Sequence, residues 1–155
     1  MNPCPCGFRG HPARECRCTP VQIAKYLAKI SGPLLDRIDL HVWTDPVDME
    51  SVLEGSPGES SLSVRAKVLS ALSRQQARGG FNSRIADQDI ETLCPLPRAG
   101  KSMLAAAMRQ YHLSMRGYKR VIKVARTIAD LEDHPSIGEQ HLAEALQFRP
   151  EFNEA

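Results

Sequence analysis

At 155 residues the chain is about one domain's worth of polypeptide. Its 42% apolar and 25% charged residues lie close to globular averages, which excludes a disordered tail, a collagen-like rod and a membrane protein. Twenty lysines and arginines against eighteen aspartates and glutamates leave a net charge of +2, so no global field singles out nucleic acid as the partner and the informative charge is local.

No apolar run reaches the roughly 18 residues of a membrane span, and the opening "MNPCPCG" lacks the charged-then-apolar layout of a secretory signal. The expected setting is the cytoplasm, with thiols reduced. Four of the five cysteines, Cys4, Cys6, Cys16 and Cys18, fall within the first eighteen residues, while Cys94 stands alone. The spacing is C-x-C, nine residues, C-x-C, with Gly7, Gly10 and Pro12 in the loop between. Four thiolates gathered by such turns match a closed tetrahedral zinc site, although single-residue spacers are tighter than the usual two to four. His11 is an alternative ligand, and free surface thiols or a redox-active pair are the competing readings. Nothing here suggests an open coordination position, so zinc at this place would be structural.

Thr19-Pro20 reads as an N-cap followed by proline in the first helical position, and Ile23, Tyr26, Leu27 and Ile30 repeat at helical spacing until Ser31-Gly32-Pro33 stops them. After a short "LLDR" turn, "IDLHVW" alternates Ile38, Leu40 and Val42 with Asp39, His41 and Trp43, the pattern of a strand. Residues 44–61 turn to proline, glycine, serine and acid without a single lysine or arginine, and read as an acidic linker. Beyond it the pattern is helical: Ser63 to Arg78, a short piece from Asp87 to Leu93, Ala99 to Leu113, Met115 to Leu131, and Ile137 to Gln147, the last with Ser136 and Glu139 at capping-box spacing. One strand with nothing to pair with is a physical problem, and it makes a fragment of a larger sheet the expectation.

"AGKS" at Ala99 to Ser102 ends like a phosphate-binding loop, but Pro95 stands where the first glycine belongs and no apolar strand precedes it. The better reading is the first turn of a helix. From Arg98 to Arg126 there are eight cations and no acid. Around the 3.6-residue helix that follows Ser114, the side chains of Tyr118, Val121, Ile122, Ala125, Ile128 and Ala129 fill one arc. Arg116, Lys119, Arg120, Lys123 and Arg126 fill the other, facing anions or water. With Ser114 as N-cap, Arg116 sits where the helix dipole disfavours a cation, so helix stability does not explain it, whereas holding a phosphate oxygen would. Lys119, Arg120 and Lys123 are the candidate nucleic-acid contacts, a solvated basic face being the bland alternative.

In order, "MNPCPCG", "SGPLLDRIDLHV" and "MRGYKRVIKVARTIADLE" resemble the second half of the magnesium-chelatase-like AAA+ ATPases of the ComM/YifB type, across essentially the whole chain. The resemblance implies that Asn2 is the first sensor beside the attacking water, that Arg37 is an arginine finger reaching a neighbouring subunit's nucleotide, and that Arg116 is the second sensor. It implies a mainly α fold: a helical AAA+ lid over residues 62–150, preceded by a short α/β remnant of the ATPase core with one strand over residues 1–43. The family's Walker A and Walker B segments have no counterpart here and would lie before Met1. For the intact protein the resemblance implies a hexameric ring of identical subunits that uses ATP and Mg to move on DNA, as a helicase in branch migration during recombination or natural transformation. The chain alone is then expected not to hydrolyse ATP. A reading from another class is a stand-alone zinc-stabilised nucleic-acid-binding module that uses the basic helix.

Overall fold

A computed structural model describes residues 1–35, 37–44, 53, 55 and 58–149. The chain divides into two compact units, one holding Met1–Ile38 and the described residues from Val42, the other holding Asp39–His41 and the described residues 58–149.

The first unit begins with the cysteine loop. Gly7 and Gly10 turn the chain at φ 82° and 79°, values that cost glycine nothing and other residues about 1 kcal/mol or more, and the Gly7 N–H donates to the Cys4 carbonyl at 3.0 Å. Helix α1, Pro20–Leu27, starts as its sequence predicts: Thr19 Oγ1 accepts the Gln22 N–H at 3.3 Å while Gln22 Oε1 accepts the Thr19 N–H at 2.9 Å, a complete capping box. Ser31-Gly32-Pro33 ends one helix and opens another, because proline is tolerated in a first turn; α2 is the single turn Gly32–Leu35.

In the second unit, α3 is Ser61–Ala77, a 3₁₀ turn spans Asn82–Arg84, and α4 is Ile90–Leu93. Then come α5, Arg98–Gln110, α6, Met115–Leu131, and α7, Glu139–Gln147. The core forms around α6, whose Val121, Ile122, Ala125 and Ile128 pack with Leu104 of α5, Leu142 and Ala145 of α7, and Ile90, Cys94 and Ile137. Leu104 and Leu142 are completely buried, and each such side chain contributes about 1.5–3 kcal/mol. Cys94 belongs to this core, and burial pushes its thiol up, away from the reactive thiolate.

The glycine of "AGKS" is explained here. A Cβ on Gly100 would lie 2.8 Å from Leu142 Cδ1, so Gly100 permits the close approach of α5 and α7. A buried polar seam joins α3 to α6. Asp130, 2% exposed, accepts from Arg78 Nη2 at 2.5 Å, Asn82 Nδ2 at 2.8 Å and Arg126 Nη2 at 3.0 Å.

Three expectations need correction. Residues 38–44 form no strand, and no strand occurs among the described residues. Alternation satisfies the local pattern, but a strand exists only in a ladder, and here the His41 N–H donates to the Phe148 carbonyl at 2.9 Å. The last helix starts at Glu139 rather than Ile137, with Gly138 as N-cap. The capping role expected of Ser136 and Glu139 passes to His141, whose Nδ1 accepts the Gly138 N–H at 2.8 Å. Arg126 does not face anions or water: it is 3% exposed and gives its guanidinium to Asp130 and to the carbonyls of His134 and Pro135. Most of the expected acidic linker, 45–52 with Glu54, Ser56 and Pro57, lies outside the described residues.

Candidate functional site

The loop that opens the chain gathers its four thiols. Cys4 Sγ lies 3.4 Å from Cys6 Sγ and 3.6 Å from Cys16 Sγ, Cys6 and Cys16 are 3.6 Å apart, and with Cys18 all four sulfurs lie within 4.8 Å of one another. None is in a disulfide. Zinc with sulfurs at about 2.3 Å in a tetrahedron has sulfur–sulfur edges of about 3.8 Å, so this arrangement is close to a ready ligand cage. The charges agree. The backbone N–H of Phe8 draws the Cys6 thiol down to about 6. Cys18, although the Cys6 backbone N–H favours its thiolate, is pushed up to about 12 by burial and the crowding thiols. Four neighbouring thiols cannot all ionise against one another; a divalent cation is what would allow it. His11 stays out of the cluster, its Nδ1 accepting the Ala13 N–H at 3.1 Å and its ring edge-on to Phe8.

Glu132, His134 and His141 also lie close together, but they suit a metal poorly. His141 Nδ1 is already an acceptor, so its Nε2 carries the proton and donates to Glu132 Oε2 at 3.0 Å. The lone pair a metal would need is absent, and the group reads as a helix cap with its partner.

The second feature is a cavity of about 680 Å³ in the helical unit, walled on one side by α6. Ser114 caps that helix, its Oγ accepting the Gly117 N–H at 3.0 Å, and Arg116 projects from the first turn. Arg116, Lys119, Arg120 and Lys123 all line the cavity. Two of the four are compensated by carboxylates from elsewhere: Lys119 Nζ pairs with Asp87 at 2.8 Å, and Arg120 pairs with Asp39. The hydrogen bond from Lys119, with Lys123 and Arg116 at longer range, holds the Asp87 carboxyl below its ordinary range. Arg116 is exposed and, among the described residues, makes no ion pair. The acidic partners Asp39 and Asp87 carried no signal in the sequence, since both are distant along the chain from the cations they meet.

Comparison with known proteins follows the same division. Residues 58–149 match the family described as magnesium chelatase, subunit ChlI C-terminal, and residues 1–52 match the family described as magnesium chelatase, subunit ChlI. The chain belongs to the magnesium chelatase ChlI family. Among its relatives are the competence protein ComM of Haemophilus influenzae, 40% identical over 151 residues, and the uncharacterized proteins YifB of Salmonella typhimurium, 39%, and Escherichia coli, 38%. Each alignment covers 96% of this chain but only 29% of the relative, so the chain spans under a third of the length of these curated relatives. The match supports a ChlI-like AAA+ family member of mainly helical fold.

Within that family frame, Asn2 is exposed and its amide lies beside Gly7 of the cysteine loop, where a Cβ on Gly7 would come within 3.6 Å of Nδ2. Arg37 is exposed and donates from Nη1 to the Pro33 carbonyl at 3.1 Å, so its guanidinium is anchored to α2. No helix among the described residues is long and apolar enough to cross a membrane.

Proposed function

We propose that the chain is the sensor-bearing portion of an ATP-driven AAA+ ring motor that works on DNA, as a helicase or branch-migration factor in recombination or natural transformation. The observation that carries this reading is Arg116: an exposed cation in the first turn of a capped helix, without an ion-pair partner among the described residues, on the wall of a cation-lined cavity. An anion there gains both the helix N-terminus and a guanidinium. Arg116 would act as the second sensor on a nucleotide phosphate, Arg37 as the arginine finger for a neighbouring subunit of the ring, and Asn2 as the residue that orients the attacking water. ATP with Mg is the expected fuel. The name of the competence protein ComM, a relative at 40% identity, fits a role in DNA uptake or exchange. Zinc held by Cys4, Cys6, Cys16 and Cys18 would be structural, fixing the loop that carries Asn2; four sulfurs close its coordination and leave no place for substrate.

The test is a chimera in which this chain replaces the matching 151-residue stretch of the Haemophilus influenzae protein. DNA-stimulated ATP hydrolysis is expected, and Arg37→Ala and Arg116→Ala are each expected to lower turnover by about 10³ or more while nucleotide still binds. Turnover unchanged in both variants would overturn the reading. The chain alone, lacking a complete phosphate loop, is expected to show background hydrolysis only. The competing reading, a zinc-stabilised nucleic-acid-binding module that uses no nucleotide, draws on the cysteine cage and the cations of α6; it predicts DNA binding indifferent to ATP.

A further inference from the structure

Residues 1–35 hold five cations, Arg9, Arg14, Arg17, Lys25 and Lys29, and one acid, Glu15. Three of them, Arg17, Lys25 and Lys29, line a single groove of about 680 Å³ between the second cysteine pair and α1, with Gln22 and Tyr26. Arg17, Lys25 and Lys29 are exposed, and among the described residues none of them makes an ion pair. Lys25 lies in the last turn of α1, where the helix dipole favours a cation, but that explains neither Arg17 nor Lys29.

Tyr26 adds a second kind of recognition. Its half-buried ring lines the groove, and the only group over its face among the described residues is the Lys29 ammonium, 5.6 Å from the ring centre. A flexible ammonium can leave that face for a phosphate oxygen, exposing a flat surface on which a base can stack. Cations flanking an aromatic face, with an amide from Gln22 beside them, are the elements of a single-strand platform: phosphates on the charges and a base on the ring.

We propose that this groove is a nucleic-acid contact separate from α6, holding the phosphodiester backbone of a single DNA strand on Arg17, Lys25 and Lys29 with a base against Tyr26. It rests on the reading that the protein works on DNA, but on no role for α6 or for nucleotide.

The experiment is fluorescence anisotropy of a fluorescein-labelled oligothymidylate titrated with the zinc-loaded 155-residue chain over a range of salt. Three phosphate contacts predict a slope of log affinity against log salt of about −2. The triple variant R17A/K25A/K29A should lose at least about tenfold in affinity at low salt together with most of that slope. Tyr26→Leu should weaken binding several-fold and leave the slope alone, because stacking releases no counterions. The charge-preserving pair Lys25→Arg and Lys29→Arg should keep both affinity and slope, which separates lost contacts from lost folding, as do unchanged zinc content and far-ultraviolet dichroism in every variant. If the triple variant binds like the parent and K119A/K123A loses affinity instead, the groove proposal fails while the DNA reading survives. If the parent shows no binding even at low salt, the groove proposal fails outright, and ATP hydrolysis by the chimera decides the motor reading separately.

Discussion

The cations of α6 and those of the cysteine unit look alike in sequence and differ in what surrounds them. On α6, Lys119 is held by Asp87, Arg120 by Asp39 and Arg126 by Asp130, the last pair fully buried. In the cysteine unit Arg17, Lys25 and Lys29 face a groove with no carboxylate among its lining residues. The longer basic run is therefore partly neutralised by its own unit's carboxylates, while the three cations of the groove meet none among its lining residues. Counting cations along a chain measures supply; what a surface can bind depends on how many are already spent internally.

Four predictions bear on that contrast. The largest effect is expected from Cys4→Ser, which removes the one fully buried thiol of the cage: zinc affinity should drop by orders of magnitude, read as metal content after dialysis, and the groove should lose its DNA binding with it. The helical unit should keep its helix content. Next, Asp130→Ala leaves Arg126 buried without its carboxylate and should cost about 3–5 kcal/mol in denaturant unfolding followed by helix dichroism. An unchanged midpoint would mean that Arg126 is not spent on structure. Gly100→Val forces a side chain into the α5–α7 contact and should cost about 1–3 kcal/mol in the same assay, with DNA binding in the cysteine unit untouched.

The smallest effect, and the most direct on the comparison, is expected from Asp87→Asn. It frees Lys119, so any DNA affinity of α6 should rise a few-fold at low salt, and no rise would argue that this face does not meet DNA. The pH dependence has a definite sign. The Asp87 carboxyl is held below its ordinary 3.8, so its ion pair contributes stability above that value and loses it as pH falls through the lowered one. Asp87→Asn should remove this part of the acid limb of an unfolding-versus-pH curve.

Much of the local structure was legible. Thr19 and Ser114 cap as their positions suggest, because a cap needs only residues within three or four positions of one another. The cysteine cage was legible for the same reason: two short pairs and a glycine turn close it with eighteen residues. Arg126 was misread because helical period alone puts it on the polar arc. Asp130, four residues on, was in view, but the carbonyls of His134 and Pro135 and the Arg78 and Asn82 side chains that complete the seam come from other elements. "IDLHVW" was misread in the opposite sense, since its alternation is local while the ladder it calls for is not.

By itself the sequence determined most of the helices, the caps at Thr19 and Ser114, the grouping of the four cysteines and the family, all of which depend on residue types at fixed short spacings. Only the tertiary structure decided which cations stay available to an anion, that the "AGKS" glycine serves a helix contact, and that the fifth cysteine is core. Those outcomes depend on which distant carboxylates and side chains arrive alongside. Electrostatic compensation and close packing act through space, and the distance along the chain does not report it.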